Sequence, residues 1–245
     1  MVVLLSNDDG YEAKGINILK SVLEERGHRI LVAAPETEQS GKSHSMTIHS
    51  RLKVTKVSDD YYIIGGTPAD CIIYSIYGKF FSVTPDVVIG GINHGYNQSA
   101  DILFSGTCAV ARQASLFGIK AIALSSETGD DGILERTARF AADNLDYFLS
   151  VIRENTFLNI NVPLNFNGEG RPAGVGLCDY DDRVDAMRQY GAVTEFQIRG
   201  EGVFHSEVEG ERFPADHVIC RQGYASLSLV DDLPHISRHM GDIRV

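Results

Sequence analysis

Short apolar blocks alternate along this chain with longer stretches of helical period. Val2-Val3-Leu4-Leu5 is a continuous apolar run of strand length, the pattern of a β-strand covered on both faces. After Gly10, residues Ile16, Leu19, Val22 and Leu23 fall on one helical face, and Gly27 ends the pattern. A second strand, Arg29 to Ala34, stops at Pro35. Strand, helix and strand within so short a span form a βαβ unit, which requires the two strands to be parallel. The alternation then repeats. Cys71 to Tyr77 reads as a helix ahead of a buried strand at Val87-Val88-Ile89, and a helix from about Thr107 to Phe117 leads through Gly118 into the strand Ala121 to Leu124. Residues 132–152 are helical again, with Phe140, Leu145, Phe148 and Val151 available for an apolar face, and Leu158-Asn159-Ile160-Asn161-Val162 alternates like a strand before Pro163. The pattern predicts a doubly wound α/β core over roughly residues 1–127.

Past residue 163 the character changes. Residues 166–215 are rich in Gly, Asp, Glu and Arg, with short alternating pieces such as Val193 to Ile198 that read as extended hairpins or an arm. Tyr224 to Leu229 resembles one more strand. The chain therefore divides into a core at 1–127 and a C-terminal part at 128–245, without internal repeats.

Composition narrows the function. With 43% hydrophobic and 22% charged residues the chain is an ordinary globular sequence, and 245 residues suffice for a substantial core. A formal charge of -11 argues against a sequence-independent grip on nucleic acid, which needs a basic face to release counterions. A small phosphorylated ligand is still allowed, because a bound cation reverses the field locally. Cys71, Cys108, Cys178 and Cys220 form no CxxC pair and suit buried small hydrophobes better than a zinc or disulfide framework. No apolar run reaches membrane-span length, and the first apolar stretch meets an acidic pair too early for a signal peptide. The expectation is a reduced, cytoplasmic protein without a membrane or nucleic-acid partner.

In a doubly wound sheet, ligands collect at the carboxyl ends of the strands. Four polar segments converge there. In Ser6-Asn7-Asp8-Asp9-Gly10, after the first strand, two adjacent carboxylates repel unless a cation or solvent separates them, and hard ions such as magnesium or manganese prefer such oxygen donors. The same residue types also favour plain turns. Gln39 to Ser45, after the second strand, contains Gly41-Lys42-Ser43; a P-loop would need glycine at position 36, where Glu36 stands, so that motif is excluded. The third segment, Gly90-Gly91-Ile92-Asn93-His94-Gly95-Tyr96-Asn97, follows Val87-Val88-Ile89 and reads as a glycine-rich loop whose asparagine carbonyls suit a hard cation. The fourth, Phe104-Ser105-Gly106-Thr107, opens a helix, where N–H groups cap the chain or attract phosphate. A hard-metal site beside an anion-binding helix start is what phosphate-ester hydrolysis requires.

These segments together resemble the stationary-phase survival protein E family, the SurE nucleotidases. The resemblance rests on LLSNDDGYEAKGI, AAPETEQSGKSHSMTI, GGTPADC, GGINHGYN and DILFSGT in order, with NINVP and QGYASLSL extending it more weakly. It implies a Rossmann-like, mostly parallel sheet with a smaller C-terminal part of β-hairpin extensions. It also implies one divalent ion, Mg2+ or Mn2+, held by Asp8, Asp9, Ser40 and Asn93, with Asn97, Ser105, Gly106 and Thr107 on the phosphate. Implied too are hydrolysis of nucleoside 5′- and often 3′-monophosphates, in some members of short polyphosphate, and homodimers or homotetramers built partly by exchanged C-terminal segments. The chain departs from the family at Gly90-Gly91, at Gln39 and at Cys108 to Ala114, and none of these removes an implied ligand.

The expected chemistry is attack by metal-activated water, with Asp8 and Asp9 as the catalytic pair and His44 and His94 as candidate acids for the leaving group. A non-catalytic metal- and nucleotide-binding regulatory module is the alternative. A sugar-nucleotide transferase fits less well, because it normally keeps a DxD spacing.

Overall fold

The computed structural model describes residues 1–129, 131–200, 202–205 and 212–233. In chain order the first elements are β1 (Val2–Ser6), α1 (Lys14–Glu25), β2 (Arg29–Pro35), β3 (Val54–Ser58), β4 (Tyr61–Ile64) and α2 (Pro68–Tyr77). Then come β5 (Val87–His94), α3 (Asp101–Phe104), α4 (Gly106–Leu116), β6 (Lys120–Ser126), α5 (Asp131–Asp143), α6 (Leu145–Val151) and β7 (Thr156–Val162). The C-terminal part contributes β8 (Gly170–Pro172), β9 (Leu177–Tyr180), β10 (Arg183–Tyr190), β11 (Val193–Arg199), β12 (Gly202–His205), α7 (Asp216–Arg221) and β13 (Ala225–Asp231).

Nine strands form one sheet in the order β3-β4-β2-β1-β5-β6-β7-β13-β8. From β4 to β7 every neighbour is parallel, while β3 and β13 run antiparallel to β4 and β7. This is the doubly wound α/β architecture expected from the periodicity. The chain winds outward from β1 through β2 and returns on the other side of β1 as β5, so the β1–β5 boundary is where the winding reverses. That reversal opens the crevice in which such sheets bind ligands.

Successive residues of the central strands face opposite layers, and both layers are covered. Leu5, Ile89 and Leu124 pack with Ile16, Leu19 and Leu23 of α1 and with Leu134 of α5. Leu4, Val88 and Ala123 pack on the other side with Ile72 of α2 and Val110 and Ala114 of α4. Double coverage is the reason these strands read as unbroken apolar runs rather than alternating ones.

Several boundaries differ from the sequence reading. β5 continues through Gly90, Gly91, Ile92 and Asn93 to His94, so this glycine-rich stretch is strand, with a register irregularity between Gly91 and Asn93. Residues 132–152 form two helices that break at Asn144, whose amide turns back to donate to the Phe140 carbonyl at 2.9 Å. Phe140, Leu145 and Phe148 are buried as expected, with Ile152, while Val151 is half-buried. Strands β3 and β4 and the short helix α7 escaped the sequence reading, although Tyr61-Tyr62-Ile63-Ile64 between Asp60 and Gly65 carries a strand signal. The extended pieces expected over 166–215 include the antiparallel pairs β10–β11 and β9–β12, and Val193 to Ile198 lies in β11. Residues 201 and 206–211 of that stretch, and the tail beyond Leu233, lie outside the described residues.

All four cysteines are buried, and Cys71, Cys108 and Cys220 form no disulfide. Among the described residues, no helix is long and apolar enough to cross a membrane.

Candidate active site

Strand β1 carries Asn7, Asp8 and Asp9 out at the reversal point. The turn that follows needs Gly10, whose φ of +97° is poorly tolerated by side-chain-bearing residues. Asn7 steadies it from within, donating its amide to the Gly10 carbonyl at 2.8 Å. The second loop is tied to the same place, since the Gln39 N–H donates to the Asp8 carbonyl at 2.7 Å.

Asp8 is buried, and its carboxylate points at the start of α4. The Thr107 hydroxyl donates to Asp8 Oδ1 at 2.5 Å, and backbone N–H groups of Gly106 and Thr107 also face this carboxylate. Ser105 is the N-cap, its Oγ accepting from the Cys108 N–H at 3.0 Å. The approach is so close that a Cβ on Gly106 would lie 2.6 Å from the Asp8 Cβ and 2.8 Å from Pro68 Cγ. Burial holds the Asp8 carboxyl above its ordinary range, and the Thr107 hydroxyl and the helix-start N–H groups pull it part of the way back.

Asp9 is half-buried beside it. Burial, reinforced by the Asp8 and Glu38 charges, pushes its carboxyl up to about 6, against the pull of His94 and its backbone N–H. An adjacent pair both raised by burial, with Asp9 raised further by the Asp8 charge, is a pair that gains from a cation.

The remaining expected residues arrive on neighbouring elements. Asn93, at the end of β5, donates its amide N–H to Gly95 O at 2.8 Å, which leaves its carbonyl oxygen, the atom a hard cation takes, outside that bond. Asn97 is buried, with its Nδ2 donating to Ser125 Oγ at 2.8 Å. Ser40 is exposed, and its hydroxyl donates to Glu38 Oε1 at 3.0 Å rather than to Asp8 or Asp9. The two candidate acids diverge. His44 is held against Gln113 Oε1 of α4 at 2.9 Å and its burial lowers its pKa, whereas His94 lies close enough to Asp9 to act on its charge.

The donors suit a hard divalent cation. Among the described residues no group of three or more His, Cys, Asp or Glu side chains is arranged to hold a metal, so a cation here would draw on amide and hydroxyl oxygens beside two carboxylates. In the residue before Asp8, Asn7 Oδ1 is buried without a hydrogen-bond partner. A buried orphan acceptor is costly, and a cation or its water would relieve it.

The family model described as "Survival protein SurE" matches residues 3–184, a span that contains every candidate site residue named above. The chain belongs to this family. It is 40% identical over 166 residues to the protein named 5′-nucleotidase SurE of Caldanaerobacter subterraneus subsp. tengcongensis, covering 66% of this chain and 65% of that relative. It is 30% identical over 219 residues to the protein of the same name from Leptospira interrogans serogroup Icterohaemorrhagiae serovar copenhageni, covering 88% and 87%. In the first of these the match thus spans just under two thirds of the relative's length. The crystal structure of the SurE protein from Aquifex aeolicus superposes with a TM-score of 0.82 at 31% identity over 99% of this chain and 98% of that one, the same α/β family fold.

Two groups of residues around the site escaped the sequence reading as functional positions. Asp70, buried in the first turn of α2, accepts from the Thr47 N–H at 2.9 Å and the Thr47 hydroxyl at 2.7 Å, and closes a capping box with Thr67. The Thr67 hydroxyl donates to Ser45 O at 2.7 Å, so the start of α2 clasps the far end of the second loop. The signal was available in Thr67-Pro68-Ala69-Asp70, which is a helix start with proline at N1. The second group is Asn159 and Asn161 on β7, which bond the backbone of Asn97.

Proposed function

We propose that this chain is a divalent-metal-dependent 5′-nucleotidase that hydrolyses nucleoside monophosphates, with activity extending to 3′-monophosphates and short polyphosphate. The observation that carries the reading is the junction of β1 and α4. A buried carboxylate raised by desolvation sits within hydrogen-bond distance of a helix start, so a cation site and an anion site share one wall. The names of the Caldanaerobacter and Leptospira relatives support the same reading.

In this proposal Asp8, Asp9, Ser40 and Asn93 hold one magnesium or manganese ion, with Ser40 turning from Glu38 to do so. When bound, such an ion supplies charge for the phosphoryl oxygens and acidifies water. Asn97 and the turn Ser105-Gly106-Thr107 hold the phosphoryl group, with the Gly106 and Thr107 N–H groups, which face the Asp8 carboxylate, turning to its oxygens to do so. Asp9, half-buried where Asp8 is buried, is the more open of the two aspartates to accept a proton from the attacking water. Purified protein incubated with AMP and magnesium or manganese is expected to release phosphate, and chelator is expected to stop it. Binding of AMP without release under those conditions would favour the regulatory-module alternative.

The raised carboxyl of Asp9 gives a pH-dependent expectation. In chelator, its folded value of about 6 lies above its ordinary 3.8, so between those values the folded state holds more protons than the unfolded one. Its contribution to stability is therefore full below about 4 and is lost as pH rises towards 6. A cation needs the ionised form, so its effect runs the other way. At a magnesium concentration about 100-fold above Kd, the gain is about 2.7 kcal/mol and thus several degrees of melting temperature at pH 7.5. That gain is expected to shrink at pH 5. Equal gains at both pH values would remove Asp9 from the ligand set.

Residues 1–127 would carry the metal and phosphate site and 128–245 the assembly surface. The β10–β11 ribbon exposes Val184, Phe196 and Ile198, between 61% and 68% accessible in one chain, which supports a homodimer or homotetramer. Buried thiols are consistent with the reduced cytoplasm as its location.

A further inference from the structure

We propose that Asn159 and Asn161 of β7, together with Ser125 of β6, are positioning residues that set Asn97 for the phosphoryl group. The proposal rests on the nucleotidase reading above and adds to it residues that do not touch substrate. All three are fully buried. Asn159 and Asn161 are two apart on one strand and so project to the same side, between Leu158, Ile160 and Val162, which project to the other. Two amides in a strand covered on both faces are an expensive choice, tolerated only where their polar atoms are matched.

The match is the backbone of one residue. Asn161 Oδ1 accepts from the Asn97 N–H at 2.8 Å, and Asn161 Nδ2 donates to the Asn97 carbonyl at 3.2 Å. Asn159 Nδ2 donates to the same carbonyl at 2.8 Å. The Asn161 amide thus grips residue 97 at both of its backbone polar atoms, and Asn159 adds a third bond. Ser125 fixes the side chain itself, accepting from Asn97 Nδ2 at 2.8 Å. That nitrogen carries two hydrogens, and Ser125 takes one of them.

The neighbours of Asn97 are pegged in the same manner. The Tyr96 hydroxyl donates to Glu127 Oε2 at 3.0 Å, Gln98 Nε2 donates to Cys220 Sγ at 3.1 Å, and the Ser99 N–H donates to Asp216 Oδ2 at 3.2 Å. Tyr96 is tied to Glu127 just past β6, Asn97 to β6 and β7, and Gln98 and Ser99 to α7, and the buried Asn97 among them is the expected phosphate ligand. Transition-state stabilisation by a fixed dipole depends on sub-ångström placement, and residues that orient a ligand from behind commonly matter 10- to 100-fold.

A double-mutant cycle separates positioning from general structural support. Asn161→Ala, Asn159→Ala and Ser125→Ala are made in the native chain and again with Asn97→Ala, and kcat, KM for AMP with magnesium, and melting temperature are measured for each. In the native background Asn161→Ala is expected to lower kcat/KM about 10- to 100-fold, chiefly through kcat. In the Asn97→Ala background the same change is expected to cost less than about threefold, because the group it positions is gone. An equal fold-loss in both backgrounds would overturn the proposal, as would native-like kcat/KM in Asn161→Ala. Should Asn161→Ala fail to fold, Ser125→Ala removes only one hydroxyl and completes the same cycle under the same criteria, with a several-fold loss expected. A native chain that releases no phosphate from any nucleotide overturns the nucleotidase reading, and this assignment with it.

Discussion

Asp8→Asn is expected to lower kcat/KM for AMP by about 1,000-fold while the chain stays folded. The variant keeps the size of the side chain and an oxygen able to accept from the Thr107 hydroxyl. It loses the negative charge that a cation needs, and it turns an N–H towards the helix start where the carboxylate accepted. Two effects on stability oppose one another. Relief of a buried charge favours the variant, and the lost acceptor at the start of α4 costs about 1 kcal/mol. The melting temperature in chelator is therefore expected to shift by no more than about 4 °C. Chelator matters in this comparison, because native protein with bound magnesium would be stabilised by the ligand and the variant would not. Phosphate release and a thermal melt on the same samples check both halves. Activity that survives in the variant and still requires metal would take Asp8 out of its role.

Gly106→Ala is expected to damage both stability and turnover, from the addition of a single methyl group. Its Cβ would sit 2.6 Å from the Asp8 Cβ and 2.8 Å from Pro68 Cγ, closer than real atoms approach. None of these groups yields easily. Asp8 lies two residues past a central strand, and Pro68 is the first residue of α2. The start of α4 must therefore back away from Asp8, stretching the Thr107 contact and parting the two walls of the site. Overpacking of this kind costs about 1–3 kcal/mol. A 1 Å displacement of a reacting group costs on the order of 100-fold in rate. Denaturant titration and phosphate release measure the two effects. A variant with native stability and native rate would show that α4 does not need to lie against β1.

The central strands were legible because coverage on both faces leaves a residue pattern that little else produces. Leu4 and Leu5 face opposite layers and are both fully buried, so the run that carries them cannot face water. Strand β3 gave no such pattern. It lies at the sheet edge, Thr55 to Ser58 are exposed, and only its pairing with β4 makes it a strand. The extension of β5 was hidden by Gly90 and Gly91, which favour a loop in isolation. In the fold a Cβ at Gly90 would approach the Thr107 carbonyl to 2.6 Å, so the glycine records a close approach rather than a turn.

Asp8 and Asp9 stood out for an electrostatic reason, since neighbouring carboxylates at the end of a buried strand need something between or around them. Asn159 and Asn161 did not stand out. A polar residue at every second position normally marks the solvent face of a strand, and here that face is turned to the Asn97 loop instead. Asp70 was equally quiet, because a capping box looks the same whether or not the box also grips a distant loop.

The division between the crevice and the exposed ribbon has an evolutionary consequence. The candidate ligands come from four segments between Asp8 and Thr107, whereas β10 and β11 form a sheet of their own beyond residue 182, bonded to each other and not to the main sheet. If copies of the chain meet through that ribbon, as proposed, substitutions there can change the assembly without touching any of the candidate ligands. Quaternary architecture and chemistry would then be free to drift at separate rates within one lineage.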